Sequence, residues 1–90
     1  MAERVRIVVS GRVQGVGFRV ATRRCAVGLG IEGTVRNLAT GDVAILAEGE
    51  QADLERLVEW ARQGPRTARV AGVEVSKSHA TGEFSGFEVR

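Results

Sequence analysis

The sequence is short of most residues on which reactive centres are commonly built. It has one cysteine, one histidine and only 4% aromatic residues. The single cysteine, Cys25, excludes an internal disulfide and fits a reducing compartment. It falls in a helical stretch near an apolar stripe, with no histidine close in sequence, and reads as a buried structural thiol rather than a nucleophile. The lone His79 lies in a polar stretch, Ser-His-Ala-Thr-Gly, that reads as a loop. One histidine and one cysteine make no zinc site, so neither metal nor cofactor is expected. Three phenylalanines and Trp60 are too few to supply both a core and the stacking platforms of a single-strand nucleic-acid binder. The net charge of +2 comes from scattered arginines with a single lysine, Lys77, and forms no basic run. Nucleic acid is therefore not an expected partner. No apolar run approaches the roughly 20 residues that span a bilayer. The opening Met-Ala-Glu-Arg-Val-Arg leads into a strand instead of a signal-peptide core, which points to a cytoplasmic protein without a membrane partner.

What is present is a chain of 90 residues, 43% hydrophobic and 27% charged, expected to fold as one domain over residues 1–90, with monomer as the default state. Val5, Ile7 and Val9 recur at the strand period of two. From Phe18 the spacing turns helical, with Phe18, Thr22, Cys25 or Ala26, and Leu29 on one stripe and Gly30 as the left-handed cap. Residues 31–37 and 43–48 alternate again around Ala39-Thr40-Gly41-Asp42 and predict an antiparallel hairpin. Gly49 and Glu50 open a second helix carrying Leu54, Leu57, Val58 and Ala61, with Trp60 at the edge of the core. Gly64-Pro65 ends it. Residues 68–76 form a strand in which Gly72 leaves room for a bulge. Phe84 to Val89 form a last short strand with Phe87 and Val89 pointing inward. This order predicts an α+β, ferredoxin-like α/β sandwich: βαββαβ plus a short terminal strand, an antiparallel sheet with both helices on one face.

The most distinctive stretch is 10–19, Ser-Gly-Arg-Val-Gln-Gly-Val-Gly-Phe-Arg, between the first strand and the first helix. Gly11, Gly15 and Gly17 permit backbone angles that side chains forbid, so successive N–H groups can turn toward one point. The helix that follows contributes unpaired N–H groups and a partial positive charge. The stretch lacks the Gly-Lys-Ser/Thr ending of a Walker A loop. It also lacks the third glycine of a dinucleotide fingerprint, for Val20 stands in its place. A tight turn and an anion cradle both use such glycines. Arg19 favours the cradle, because a cation at a helix N-terminus is electrostatically misplaced unless an anion joins it.

Val13-Gln14-Gly15-Val16-Gly17-Phe18-Arg19, followed by Leu29-Gly30-Ile31-Glu32-Gly33-Thr34-Val35-Arg36-Asn37, resembles the acylphosphatase family. The similarity continues through Ala47-Glu48-Gly49, Gly64-Pro65, Ala68-Arg69-Val70 and the closing Gly86-Phe87-Glu88-Val89-Arg90. The resemblance implies metal-independent hydrolysis of small acyl phosphates to a carboxylate and inorganic phosphate. It assigns the phosphate-binding loop to Gln14, Gly15, Val16, Gly17, Phe18 and Arg19, with Arg19 clamping the phosphoryl oxygens and Asn37 orienting the attacking water. The sequence departs from the family pattern at Thr34, where tryptophan is frequent, and at Leu38, where many members carry a hydroxyl residue. Thr40-Gly41-Asp42 also replaces the more usual Asp-Gly turn. The residues themselves suit an activated substrate, since no nucleophile or general acid stands near the loop and a carboxylate leaves without protonation. The alternative is a non-catalytic anion- or acyl-phosphate-binding module, as in the similar domains of hydrogenase-maturation proteins.

Overall fold

The computed structural model describes residues 2–90. Strand β1, Ala2–Arg12, buries Val5, Ile7 and Val9 on one face as the alternation requires. Helix α1, Phe18–Gly28, buries Phe18, Thr22 and Ala26, and Cys25 is half-buried beside them. It ends in a Schellman arrangement: Gly30 N–H donates to Val27 O and Ile31 N–H to Ala26 O, with Gly30 at φ 73°. Strands β2, Glu32–Asn37, and β3, Val43–Glu50, form the expected hairpin. Helix α2, Gln51–Gln63, starts after Glu50, which together with Gly49 belongs to β3 and not to the helix. Its buried side is Leu54, Leu57 and Ala61.

Strand β4, Arg69–His79, is longer than its valines suggest and carries His79, read from sequence as a loop residue. Pairing with β1 explains this, because the ladder continues to Glu3 opposite His79 whatever the polarity of the partner. Between Ser10 and Gly11 the register slips past Ala71, a bulge beside Gly72 as expected. Gly11 therefore belongs to the β1 ladder and not to the anion loop. A side chain there would meet Arg69 O at 2.2 Å, so the glycine serves close strand approach.

The sheet runs β4-β1-β3-β2-β5, where β5 is Phe87–Val89. Four strands are antiparallel, but β5 is parallel to β2, so the sheet is mixed rather than antiparallel throughout. The crossing from β4 dictates that direction. Strand β4 finishes opposite the start of β1, and residues 80–86 then cross to the start of β2, where Gly33 N–H donates to Gly86 O. A chain arriving at the beginning of β2 can only run alongside it.

Glu48 holds this crossing segment in place. Its carboxylate accepts from Arg4 Nε at 2.7 Å, Thr81 N–H at 2.8 Å and Gly82 N–H at 3.0 Å. Burial by itself would raise its pKa, but the bonds from Thr81, Arg4 and Gly82 outweigh that and lower it to about 2. Arg4 also pairs with Glu83 and lies 5.2 Å from the Phe84 ring centroid. Helices α1 and α2 touch each other and cover the face formed by Val5, Ile7, Val35, Ile45 and their neighbours. Phe87 joins that core. Val89 shares the helix-side face with Phe87, as expected, but at the sheet's edge it stays 39% exposed, lining a surface hollow with Val20, Arg23 and Val27 of α1.

Candidate active site

A buried aromatic contact sits directly behind the glycine loop. Phe18, the first residue of α1, is fully buried and lies 5.4 Å from the Trp60 ring centroid at a tilt of 53°. Burial of such a ring is worth about 1.5–3 kcal/mol and the tilted pair about 0.5–1.5 kcal/mol more. The start of α1 is thereby fixed in space, and with it Arg19. Trp60 performs the packing role expected of it.

The loop itself, residues 13–17, is held at three points. Val13 is buried in the core. The Gln14 side chain donates to Leu38 O at 2.8 Å and Asp42 O at 2.9 Å, tying the loop to the β2–β3 turn. Thr67 Oγ1 donates to Val16 O at 2.5 Å, tying it to the segment before β4. Gly15 and Gly17 have φ of 72° and 77°, and a Cβ on either would meet nothing within 4 Å. Their left-handed backbone shapes the loop, and the space in front of them is open.

That space is a hollow of about 90 Å³ lined by Gly15, Gly17, Phe18, Arg19, Asn37 and Val89, among others. The structure thus brings the loop and Asn37, 18 or more positions apart in sequence, to one point. Gln14 and Val16, assigned to the loop by resemblance, do not line the hollow; Gln14 braces it through the turn and Val16 packs toward the core. The N-terminus of α1 opens here with no side-chain cap and no acidic residue in its first turn. A helix end of this kind carries about half a positive charge, and Arg19 adds a full one.

Arg19 is itself held by one edge. Its Nη1 donates to Arg90 O at 2.9 Å, just past β5, while Arg23 Nε donates to Phe87 O at 3.0 Å within it. The remaining N–H groups of Arg19 have no partner among the described residues. Opposite stands Asn37 at the end of β2. Its Oδ1 is the one buried side-chain polar atom among the described residues without a hydrogen-bond partner. A buried acceptor without a protein partner is costly unless a water or a ligand meets it. The hollow therefore presents a fixed guanidinium with spare donors, a helix N-terminus and an unused carboxamide oxygen.

Comparison with known proteins gives this arrangement its family. A model described as Acylphosphatase matches residues 5–89. The chain belongs to the acylphosphatase family. It is 53% identical to an acylphosphatase of Rubrobacter xylanophilus, over 98% of this chain and 80% of that one. An acylphosphatase of Geotalea uraniireducens is 46% identical, over 99% of this chain and 98% of that one. Among solved structures, the crystal structure of acylphosphatase from Bacillus subtilis superposes with a TM-score of 0.94 at 35% identity, covering 98% of each chain. Among the described residues, no helix is long and apolar enough to cross a membrane.

Sequence reading had no signal for the Gln14 brace, the Thr67 tie or the Arg90 carbonyl. Each is a side-chain bond across more than 20 positions of chain, and no local spacing announces it.

Proposed function

We propose that this member of the acylphosphatase family binds the phosphoryl group of a small acyl phosphate in the hollow and hydrolyses it to a carboxylate and inorganic phosphate. The observation that carries this reading is the pairing, across one small hollow, of the spare Arg19 donors with the partnerless Asn37 Oδ1. Arg19 and the N–H groups of the loop and first helical turn hold the phosphoryl oxygens. Asn37 Oδ1 accepts a hydrogen bond from a water and turns its lone pair toward phosphorus. The water oxygen bonds to phosphorus, the bridging P–O bond breaks, and the carboxylate leaves with the electron pair. The water's proton passes to a phosphoryl oxygen of the substrate. Because the leaving group is stable as an anion, the protein need supply only position and charge stabilisation. Arg90 O and β5 keep the guanidinium from swinging away between turnovers.

The test is hydrolysis of benzoyl phosphate in the presence of a metal chelator, with Arg19→Ala as the control. Chelator-resistant turnover that disappears in Arg19→Ala, together with phosphate binding, is the expected result. Turnover surviving in a folded Arg19→Ala protein would place the reaction elsewhere.

A further inference from the structure

The peptide that joins Val16 to Gly17 is gripped from one side. Thr67 Oγ1 donates to Val16 O at 2.5 Å. Thr67 is in turn placed by its neighbours. Gly64 N–H donates to Trp60 O at the end of α2, and Ala68 N–H donates to Pro65 O, which closes a tight turn. Gly64 lies against the Phe18 ring, where a Cβ would stand 2.6 Å from Cε2, and Ala68 is buried in the core. The pairing of Arg12 with Arg69 brings this turn alongside the start of the loop. The hydroxyl thus reaches Val16 from a turn seated on the same ring that fixes the start of α1.

A trans peptide is planar, and its C=O and N–H point in opposite directions. Gly17 lines the hollow, and neither Val16 nor Thr67 does. With Val16 O turned out to Thr67, the N–H of Gly17 is turned the other way, toward the hollow. That N–H has no hydrogen-bond partner among the described residues. Gly17 does not itself resist reversal of this peptide, since glycine takes positive and negative φ about equally. Reversal would replace the donor with Val16 O and set a carbonyl dipole against any anion in the hollow. We infer that Thr67 is a positioning residue of the phosphate cradle: its hydroxyl holds the Val16–Gly17 peptide so that Gly17 N–H meets a phosphoryl oxygen, and thereby sets phosphate affinity. This rests on the seating of the phosphoryl group in the hollow proposed above, and not on the hydrolytic step. The donor serves bound substrate and transition state alike, so its loss falls on KM rather than kcat.

The experiment compares Thr67→Val, which removes the donor and keeps the shape, with Thr67→Ser, which keeps the donor. Thr67 is exposed, so neither change disturbs the core. Binding of inorganic phosphate is measured by calorimetry, beside hydrolysis of benzoyl phosphate and urea denaturation. Thr67→Val is expected to weaken phosphate binding about fivefold, as when the competent peptide orientation is populated about one-fifth of the time. KM should rise by the same factor with kcat changed less than about twofold. Thr67→Ser should stay within about twofold of wild type in both. The Gly17 amide proton, followed by NMR, should move downfield on phosphate addition in wild type and by a smaller amount in Thr67→Val. A Thr67→Val protein that binds phosphate within about twofold of wild type, whatever its stability, overturns the inference, because the bond then serves the fold alone. The expected phosphate pattern without turnover by wild type supports the positioning role and overturns the hydrolytic reading. Failure of wild type to bind phosphate overturns both.

Discussion

Replacing Asn37 with alanine should separate two quantities that usually fall together, stability and activity. Deleting a buried polar side chain ordinarily destabilises a fold because its hydrogen-bond partners are stranded. Asn37 Oδ1 has no partner to strand. Burying such an acceptor without a protein partner costs about 1–3 kcal/mol in the folded state. Against this, a half-buried strand-end side chain gives up little packing when truncated to its Cβ. Asn37→Ala should therefore match the wild type in stability or exceed it by about 1 kcal/mol, a rise in Tm of roughly 4–8 °C for a domain of this size. Turnover should move the other way. Loss of one well-placed polar group at a reacting centre costs about 3–4 kcal/mol, on the order of a hundredfold to a thousandfold in kcat. Phosphate binding, assigned to Arg19 and the loop, should stay within a few-fold. Thermal melts with and without phosphate, beside steady-state hydrolysis of benzoyl phosphate, read all three. A variant less stable by more than about 1 kcal/mol with kcat unchanged would refute the reasoning, because Asn37 would then be a structural residue. Phosphate binding lost as severely as in Arg19→Ala would refute the division of labour.

Two further outcomes bear on the scaffold. Gly33 lies at φ 151°, and a Cβ there would stand 1.9 Å from Leu46 O and 2.9 Å from Ala47 Cα, both main-chain atoms that cannot give way. Gly33→Ala should cost on the order of 4 kcal/mol or leave the chain unfolded, measured by urea denaturation; a variant within 1 kcal/mol of wild type would contradict the close strand approach. Glu48, with its carboxyl lowered from 4.5 to about 2, takes up its proton more readily in the unfolded chain than in the folded one. Its contribution is present in full above about pH 4.5 and is lost as the pH falls toward 2. Glu48→Gln should lose about 1–3 kcal/mol at pH 7 and show a flatter fall in stability over that window; an identical acid limb in both proteins would assign the dependence to other groups.

Part of the candidate site is legible in the sequence. Arg19 and the glycines of the loop announce themselves because their chemistry is local: backbone freedom, a helix start and a misplaced cation all lie within a few residues. Asn37 had no such signature and was reached through resemblance; its partnerless Oδ1 appears only when β2 is laid against the loop. Gly11 shows the converse, for in sequence it looks like part of the cradle. Its role depends on Arg69 and Ala71, which pairing of β1 with β4 brings against it.

By itself the sequence determined the elements and most of their buried sides: Val5, Ile7 and Val9 at a period of two, Phe18, Thr22, Cys25 or Ala26, and Leu29 at helical spacing, and the turn between β2 and β3. These follow from steric rules that act over a few residues and are written directly in the order of side chains. Only the tertiary structure decided the direction of β5, the Glu48 anchor under the crossing segment and the Gln14 brace. It also decided the gathering of Arg6, Arg36 and Arg90 on the open face beside Asn37. Each of these depends on register between segments far apart in the chain. A shift of one residue in a ladder would turn Glu48, Arg6 and Arg36 to the other face.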